Sequence, residues 1–204
     1  MISTTSMPKK IKYRLSFGTG NAYINECNLI LKKYLENKDW EGTEKYTIEN
    51  NILQTNTLSS AKRIFRETSL RLKSLSHQEQ EFFIRSNYLD QSILIWIAIC
   101  RTYKFIGDFA STIIIEKFNS YQLEMEYSDF NYFFENQQFF HEELRTLKDS
   151  TRKKLRQVIF RIMKDLNIIS KNKEITPLLP SIELKEVTKS TRKDLKLFLP
   201  GATI

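Results

Sequence analysis

Residues 150–166, which read STRKKLRQVIFRIMKDL, carry the pattern that decides the fold class. Apolar side chains recur here at three- and four-residue spacing, which is the period of an α-helix with one buried face. They are Leu155, Val158, Ile159, Ile162, Met163 and Leu166. The sequence therefore predicts a long amphipathic helix, with Asp149 and Ser150 as candidate N-caps.

The remaining faces of this predicted helix are cationic, because acids stand only near its two ends. Its polar and basic side chains are Arg152, Lys153, Arg156, Gln157, Arg161 and Lys164. Arg and Gln can pair bidentately with guanine and adenine edges, so we predict that these residues bind DNA. The alternative is a solvated surface helix whose Lys and Arg stems cover the edge of the core.

The segments on either side of this helix suggest a winged helix–turn–helix. Predicted helices at 108–118 and 128–138 precede it, and residues 168–175 resemble a small β-hairpin around a polar Lys-Asn-Lys turn. In that arrangement the third helix enters the major groove, and Lys171 and Lys173 contact flanking phosphates. The connection at 139–148 is longer than a simple tight turn, and residues 141–147 are expected to fill it with an extra helical turn.

Most of the remaining sequence also predicts helices, and its five Gly and four Pro are too few for many tight turns. Asp39 is a candidate cap, Ser76 and Glu79 match a capping box, and Asp90 is a candidate cap for the most apolar helix. The other predicted helices lie at about 22–37, 40–49, 58–75, 76–87, 90–105 and 191–199. We expect an all-α helical bundle with a small hairpin. Its predicted parts are an N-terminal helical domain (1–88), a winged-helix-like domain (89–180) and a C-terminal extension (181–204).

A second basic stripe lies on the predicted helix at 58–75. Lys62, Arg66 and Lys73 share one face with Arg63 beside it, and Glu67 is the acid within the helix. Taken alone, this stripe fits a solvated surface as well as a DNA-binding site. If it lies on the same side as the 150–166 helix, the two helices form one cationic track.

Composition limits the classes of partner and the location. The chain has 32 Lys and Arg against 24 Asp and Glu, a net charge of +8, which favours nucleic acid or an anionic membrane surface as a partner. The most apolar run, SILIWIAIC at 92–100, is far shorter than the ~20 residues of a spanning helix. Lacking an apolar run of signal-peptide length after its N-terminal lysines, the chain is expected in the cytoplasm. There Cys27 and Cys100 are expected as buried thiols, although one disulfide is open to them.

The sequence contains no recognisable catalytic, metal or cofactor motif. His77 and His141 are isolated, and the His141-Glu142-Glu143-Leu144 segment lacks the second histidine of a zinc-binding helix. The Gly-Thr-Gly segment at 18–20 has no third glycine and no phosphate-loop lysine, so we interpret it as a turn. We therefore expect no enzyme, no metal site and no cofactor.

Five segments carry a pattern shared with a known family: 13–20 (YRLSFGTG), 59–67 (SSAKRIFRE), 94–118, 127–135 (YSDFNYFFE) and 150–170. Together they resemble the BrxA family of bacteriophage exclusion (BREX) defence systems. The resemblance implies a non-enzymatic helical protein that binds double-stranded DNA and whose fold is like that of the antitermination factor NusB. It also implies BREX partners: an adenine-specific methyltransferase, an ATPase, a phosphatase-like protein and a Lon-like protein.

The sequence and the resemblance together predict a DNA-binding accessory component of a BREX system. Few base-reading groups stand out, so we expect weak sequence specificity and steep salt dependence. Two alternatives are a protein-interaction scaffold, docking through the acidic and aromatic segment at 116–143, and an RNA-binding protein of NusB type. Membrane insertion is not expected.

Overall fold

Helices form most of the described chain, which comprises residues 12–17 and 20–202 of a computed structural model. The N-terminal half contains α1 (Ile24–Asn37), α2 (Trp40–Glu49), α3 (Leu58–Leu72), α4 (His77–Arg85) and α5 (Tyr88–Thr102). It is followed by α6 (Lys104–Phe109), a π-helical turn (Ala110–Ile114), α7 (Ile115–Asn119), α8 (Tyr127–Gln138), α9 (Glu142–Arg145) and α10 (Asp149–Asp165). The chain continues with α11 (Ile182–Val187), a short 3₁₀ turn (Lys189–Thr191) and α12 (Arg192–Phe198). The predicted all-α fold class is confirmed.

Polar side chains fix where several of these helices begin. Asp39 caps α2 by accepting hydrogen bonds from the amides of Glu41 (3.0 Å) and Gly42 (2.9 Å), as predicted. The predicted capping box of Ser76 and Glu79 is also present at the start of α4. These side chains satisfy amides that have no partner within the helix.

Two predicted caps were wrong. Asn87 caps α5 by accepting from the amide of Asp90, so Asp90 lies inside the first turn of that helix. Asn87 and Asp90 both have the short polar side chain that a cap needs, and the sequence pattern assigned the cap to Asp90. At α10 the capping position is Lys148, which makes no side-chain cap, and Asp149 is already helical.

The central helix is α5, whose residues 92–100 are all buried. A helix that is apolar all round has to be enclosed by other elements, and α3, α4, α6 and α12 pack against this one. Trp96 is fully buried, and its indole Nε1 donates a 2.8 Å hydrogen bond to the carbonyl of Phe198. Among the described residues, no helix is both long enough and apolar enough to cross a membrane.

A close backbone contact follows the end of α5. The helix ends at Thr102 rather than near residue 105, and α6 starts at Lys104. A Cβ placed on Gly107 would lie 2.8 Å from the carbonyl oxygen of Cys100 and 3.3 Å from the Phe198 ring. Glycine is therefore required where α6 approaches α5.

The C-terminal segment packs into the same core as the rest of the chain. Leu184 of α11, which the sequence did not predict as helical, and Leu195 of α12 are buried. Residues of all three predicted segments belong to one hydrophobic cluster. The three-part division of the chain stays a prediction.

A partly buried ionic cluster joins α12 to α4 and α5. Arg101 lies 2.7 Å from Asp194 and 2.7 Å from Glu79, and the Thr191 hydroxyl donates to Glu79 at 2.8 Å. Glu79 has no exposed side-chain surface. Burial alone would raise the pKa of Glu79, but hydrogen bonds from Arg101, the Ser76 amide and Thr191 hold it below its usual 4.5.

Replacing Asp194 with Ala is expected to lower the free energy of unfolding by about 1–3 kcal/mol, because Arg101 loses one of its two carboxylate partners in a largely buried site. Urea denaturation measures the change. Glu186→Ala is the matched control, since it removes a carboxylate from an exposed pair with Lys189 and should change stability by about 0.5 kcal/mol or less. Equal effects of the two variants would contradict a stabilising role for the cluster.

The cluster also predicts how stability depends on pH. Because folding lowers the pKa of Glu79, its contribution is complete above its unfolded value near 4.5 and is lost as the pH falls through the lower folded value. Glu79→Gln should therefore be less stable at neutral pH and should lose less stability on acidification. Denaturation curves between neutral pH and pH ~3 compare the two slopes; identical acid dependence would contradict this assignment.

Candidate nucleic-acid interface

The helix α10 separates buried apolar residues from an exposed cationic row. The six apolar residues predicted to be buried are all buried, and Phe160 is buried as well. Lys153, Gln157 and Lys164 are exposed, and none has a side-chain hydrogen bond or ion pair within the described part of the chain. We call these three residues and Arg161 the α10 row; helical geometry places all four on one face.

Arg152 is held against α8 rather than standing free. Its Nη2 donates to Glu135 at 2.7 Å and, more weakly, to the backbone carbonyl of Asn131 at 3.4 Å. The guanidinium also lies 4.8 Å from the centre of the Phe134 ring. This predicted DNA contact therefore already has a carboxylate and an aromatic partner within the protein.

Arg156 lies in the same seam between α8 and α10. Its Nη1 donates to the Asn131 side chain at 3.1 Å, and its guanidinium lies 4.5 Å from the centre of the Tyr127 ring. The Nε atom is buried and has no hydrogen-bond partner among the described residues. The ring of Tyr127 in turn packs edge-on against Phe160 at 4.8 Å. The geometry is that of a packing residue.

Arg161 ties α10 to the segment that precedes α1. Its Nη2 donates a 2.8 Å hydrogen bond to the carbonyl of Gly20. One turn later, Asp165 accepts a hydrogen bond from the amide of Ala22; burial raises the pKa of this carboxyl even though Arg161 and that hydrogen bond act to lower it. We call residues 20–22 the strap. Gly18 and Thr19 of the predicted turn lie outside the described residues.

The predicted wing is a tight turn with isolated β-bridges. Ile169 pairs with Ile175, and the Ser170 amide donates to the carbonyl of Glu174 at 2.8 Å. Residues 123–125 pair with the outer side of this turn, which the sequence did not predict. Lys171 is exposed, whereas the Lys173 ammonium lies 4.9 Å from the centre of the Tyr127 ring.

The connection between α8 and α10 is ordered by packing and contains the predicted helical turn, α9. His141 stacks on the Tyr13 ring at 3.7 Å and lies 3.2 Å from Glu143. Glu143 also accepts a hydrogen bond from the backbone amide of Tyr13. The segment is therefore held against Tyr13, and it is longer than the turn of a simple helix–turn–helix.

The second set of predicted contacts lies on α3. Lys62, Arg63 and Arg66 are exposed and form no ion pair within the described residues, and Lys73 lies 5.0 Å from the centre of the Trp40 ring. All four line a groove of about 990 Å³ between α2 and α3.

Both cationic helices contact the strap. Arg71 of α3 donates to the carbonyls of Asn21 (2.6 Å) and Ala22 (3.1 Å), while Arg161 of α10 donates to the carbonyl of Gly20. Sequence reasoning missed Arg71; its signal is an arginine next to the apolar stripe of α3, four residues after Glu67. No group of His, Cys, Asp or Glu among the described residues could hold a metal ion.

Comparisons with known proteins identify relatives over most of the chain. A sequence model of the BrxA family matches residues 11–191. A curated protein of Bacillus cereus (strain H3081.97), named BREX protein BrxA, is 30% identical over 166 residues, which is 80% of this chain and 82% of that protein. The crystal structure of an uncharacterized protein from Magnetospirillum magneticum has a TM-score of 0.76 at 16% identity, covering 93% of this chain and 100% of that chain. The last comparison shows a shared fold alone.

Truncating a packed cation of α10 should lower the free energy of unfolding more than truncating an exposed one. Arg156→Ala is expected to lower the free energy of unfolding by about 1–3 kcal/mol, because it removes the contact with Tyr127 and the hydrogen bond to Asn131. Lys153→Ala, on the exposed face of the same helix, should change it by about 0.5 kcal/mol or less. Thermal and urea unfolding measure both variants, and an Arg156 variant as stable as the lysine variant would refute the packing role.

Proposed function

We propose that this chain, which belongs to the BrxA family of BREX phage-defence systems, binds double-stranded DNA as a non-enzymatic accessory component. The observation that carries the proposal is the α10 row, in which exposed Lys153, Gln157 and Lys164 are without protein partners in the described chain. Unpaired cations along one helix face attract phosphates and release the counterions condensed on DNA.

The dimensions of the row support contact with a duplex. From Lys153 to Lys164 an α-helix rises about 16 Å, which exceeds the major-groove width of about 12 Å. The row can therefore reach phosphates on both sides of the groove while Gln157, near its middle, faces the base edges. Gln157 can pair with adenine, but one such residue gives little discrimination, so we expect weak sequence preference.

The other predicted contacts have supporting roles. Arg152 and Arg156 add positive charge beside the row while holding α10 against α8. Lys171 and Lys173 extend this charge along the wing, and in this proposal they contact phosphates next to the groove. Lys62, Arg63, Arg66 and Lys73 on α3 supply a second cationic surface. The strap bonds to both helices, through Arg71 of α3 and Arg161 of α10.

A protein-interaction scaffold is the second candidate function, and the outer side of α8 favours it. Tyr132 is 64% exposed and Phe139 is 79% exposed, and helical spacing aligns them on one face. Exposed aromatics of this size are typical anchors in protein interfaces. The expected partners are the BREX methyltransferase, ATPase and phosphatase-like protein, in the cytoplasm. Co-purification of these subunits after nuclease treatment would separate direct contacts from bridging by DNA.

Charge reversal of the α10 row tests the leading proposal. We expect the double variant Lys153→Glu, Lys164→Glu to bind duplex DNA at least ~10-fold more weakly. The slope of log affinity against log salt concentration should also become shallower by about 2, one for each lost phosphate contact. Gel shifts or fluorescence anisotropy across a salt series measure both quantities.

The matched control is Lys32→Glu, Lys196→Glu, which makes the same charge change at exposed lysines of α1 and α12. It should lose far less affinity than the α10 variant. Unchanged duplex binding by a folded α10 variant, or an equal loss in the control, would refute the proposed face. Competition between duplex DNA and RNA of matched length separates DNA binding from the RNA-binding alternative, which predicts preferential displacement by RNA.

A further inference from the structure

The groove between α2 and α3 has one cationic wall and one acidic wall. Lys62, Arg66 and Lys73 line the α3 side, and Glu41 and Glu44 line the α2 side. The groove has a volume of about 990 Å³, with the buried Phe65 at its floor. This volume is the size of a small-ligand site, which admits a few linked nucleotides.

The cations of this groove form no ion pair within the part of the chain that the structure describes. Lys62 and Arg66 have no side-chain ion pair or hydrogen bond within the described residues, although Glu41 and Glu44 lie in the same groove. Four-residue spacing puts Lys62 beside Arg66 on the helix, and Lys73 continues that line toward the end of α3. Neighbouring like charges on a helix repel, and a bound polyanion would relieve this repulsion.

An aromatic ring stands at the Lys73 end of the line. Trp40 is half-buried, and one side of its indole is fixed by stacking on Tyr34, with ring centres 4.0 Å apart and planes inclined by 18°. The Lys73 ammonium lies 5.0 Å from the centre of the same ring. If a phosphate draws the Lys73 ammonium away from the Trp40 ring, it frees space beside that ring, which Tyr34 still holds in place. A cationic groove with such a ring is the usual arrangement for stacking unpaired bases.

We propose that the α2–α3 groove binds single-stranded nucleic acid. Its phosphates follow Lys62, Arg66 and Lys73, one base stacks on Trp40, and exocyclic amino groups of neighbouring bases donate to Glu41 and Glu44. Carboxylates accept from the amino group of cytosine, so the acidic wall suits bases rather than phosphates. An acidic peptide would meet this wall with like charge, which makes it the less favoured occupant.

The proposal goes beyond duplex binding by α10 and does not rest on it, since the groove residues lie on other helices. The two sites would let one chain hold a duplex and an unpaired strand at the same time. Failure of either site leaves the other testable with its own ligand and its own variants.

Tryptophan fluorescence tests the groove directly. The chain contains two tryptophans, and Trp96 is fully buried, so quenching by a stacked base should report on Trp40. Titration with a deoxycytidine oligonucleotide of about ten residues is expected to give saturable quenching that salt reverses. Trp40→Phe should abolish the quenching while the emission of Trp96 remains. The affinity of the Trp40→Phe variant for a dye-labelled oligonucleotide, measured by anisotropy, should fall roughly 10-fold relative to the wild-type protein.

A second variant tests the groove independently, in case Trp40→Phe does not fold. Lys62→Glu, Arg66→Glu changes exposed residues only, and it should weaken oligonucleotide binding by ~10-fold or more. The control Lys32→Glu, Lys196→Glu should keep most of the affinity. The α10 variant Lys153→Glu, Lys164→Glu should keep the quenching while losing duplex binding, which distinguishes the two sites.

Three outcomes would overturn the proposal. They are the absence of saturable quenching in the wild-type protein, unchanged affinity in folded groove variants, and equal competition by a polyglutamate peptide of matched charge, which would indicate an acidic-peptide site instead. A ribocytidine oligonucleotide distinguishes the sources of the strand. Tighter binding of the ribo form would support the groove and identify RNA as its ligand, whereas tighter binding of the deoxy form would identify DNA.

Discussion

The fold depends on a buried charge, the guanidinium of Arg71, which has no solvent exposure. An arginine removed from water has to be neutralised and its donors satisfied within the protein. Glu67 accepts from its Nε at 3.2 Å and its Nη2 at 2.7 Å, and the strap carbonyls accept from its Nη1. The Tyr103 hydroxyl donates to Glu67 at 2.6 Å, and burial raises the pKa of that phenol, so it stays protonated as a donor. One cation therefore joins α3, the strap and the junction between α5 and α6.

The same network determines where the cationic surfaces lie. A Cβ at Gly20 would come within 2.9 Å of Arg71 Nη2, so glycine lets the strap pass this close to the buried charge. The carbonyl of Gly20 then accepts from Arg161, which positions the C-terminal half of α10. The N-terminal half is positioned separately, by Arg152 and Arg156 against α8. The orientation of the α10 row is thus a consequence of packing contacts made by three arginines of α10.

Much of the fold follows from periodicity and capping chemistry, because apolar spacing and short polar side chains act locally. The helices α2, α8 and α10 illustrate this, as does the capping box of Ser76. The errors have physical causes. Asn87 and Asp90 have equivalent capping chemistry, so tertiary packing alone selects between them. A pattern that treats every arginine as exposed misses Arg71 and assigns Arg156 to DNA, because their partners lie 50 and 25 positions away in the chain. α11 is only one and a half turns long and leaves little periodic signal.

On α10 the arginines bond within the protein and the lysines are exposed, and this difference limits which features of DNA the helix can recognise. Base-specific readout favours forked donors, and the guanidinium groups of Arg152, Arg156 and Arg161 each already donate to a protein acceptor. The side chains left free on the α10 row are lysines, which act as point charges, and Gln157. Such a surface gains affinity from counterion release and little from the identity of the bases. If the α10 row binds DNA as proposed, the row itself therefore contributes little to discrimination between DNA sequences.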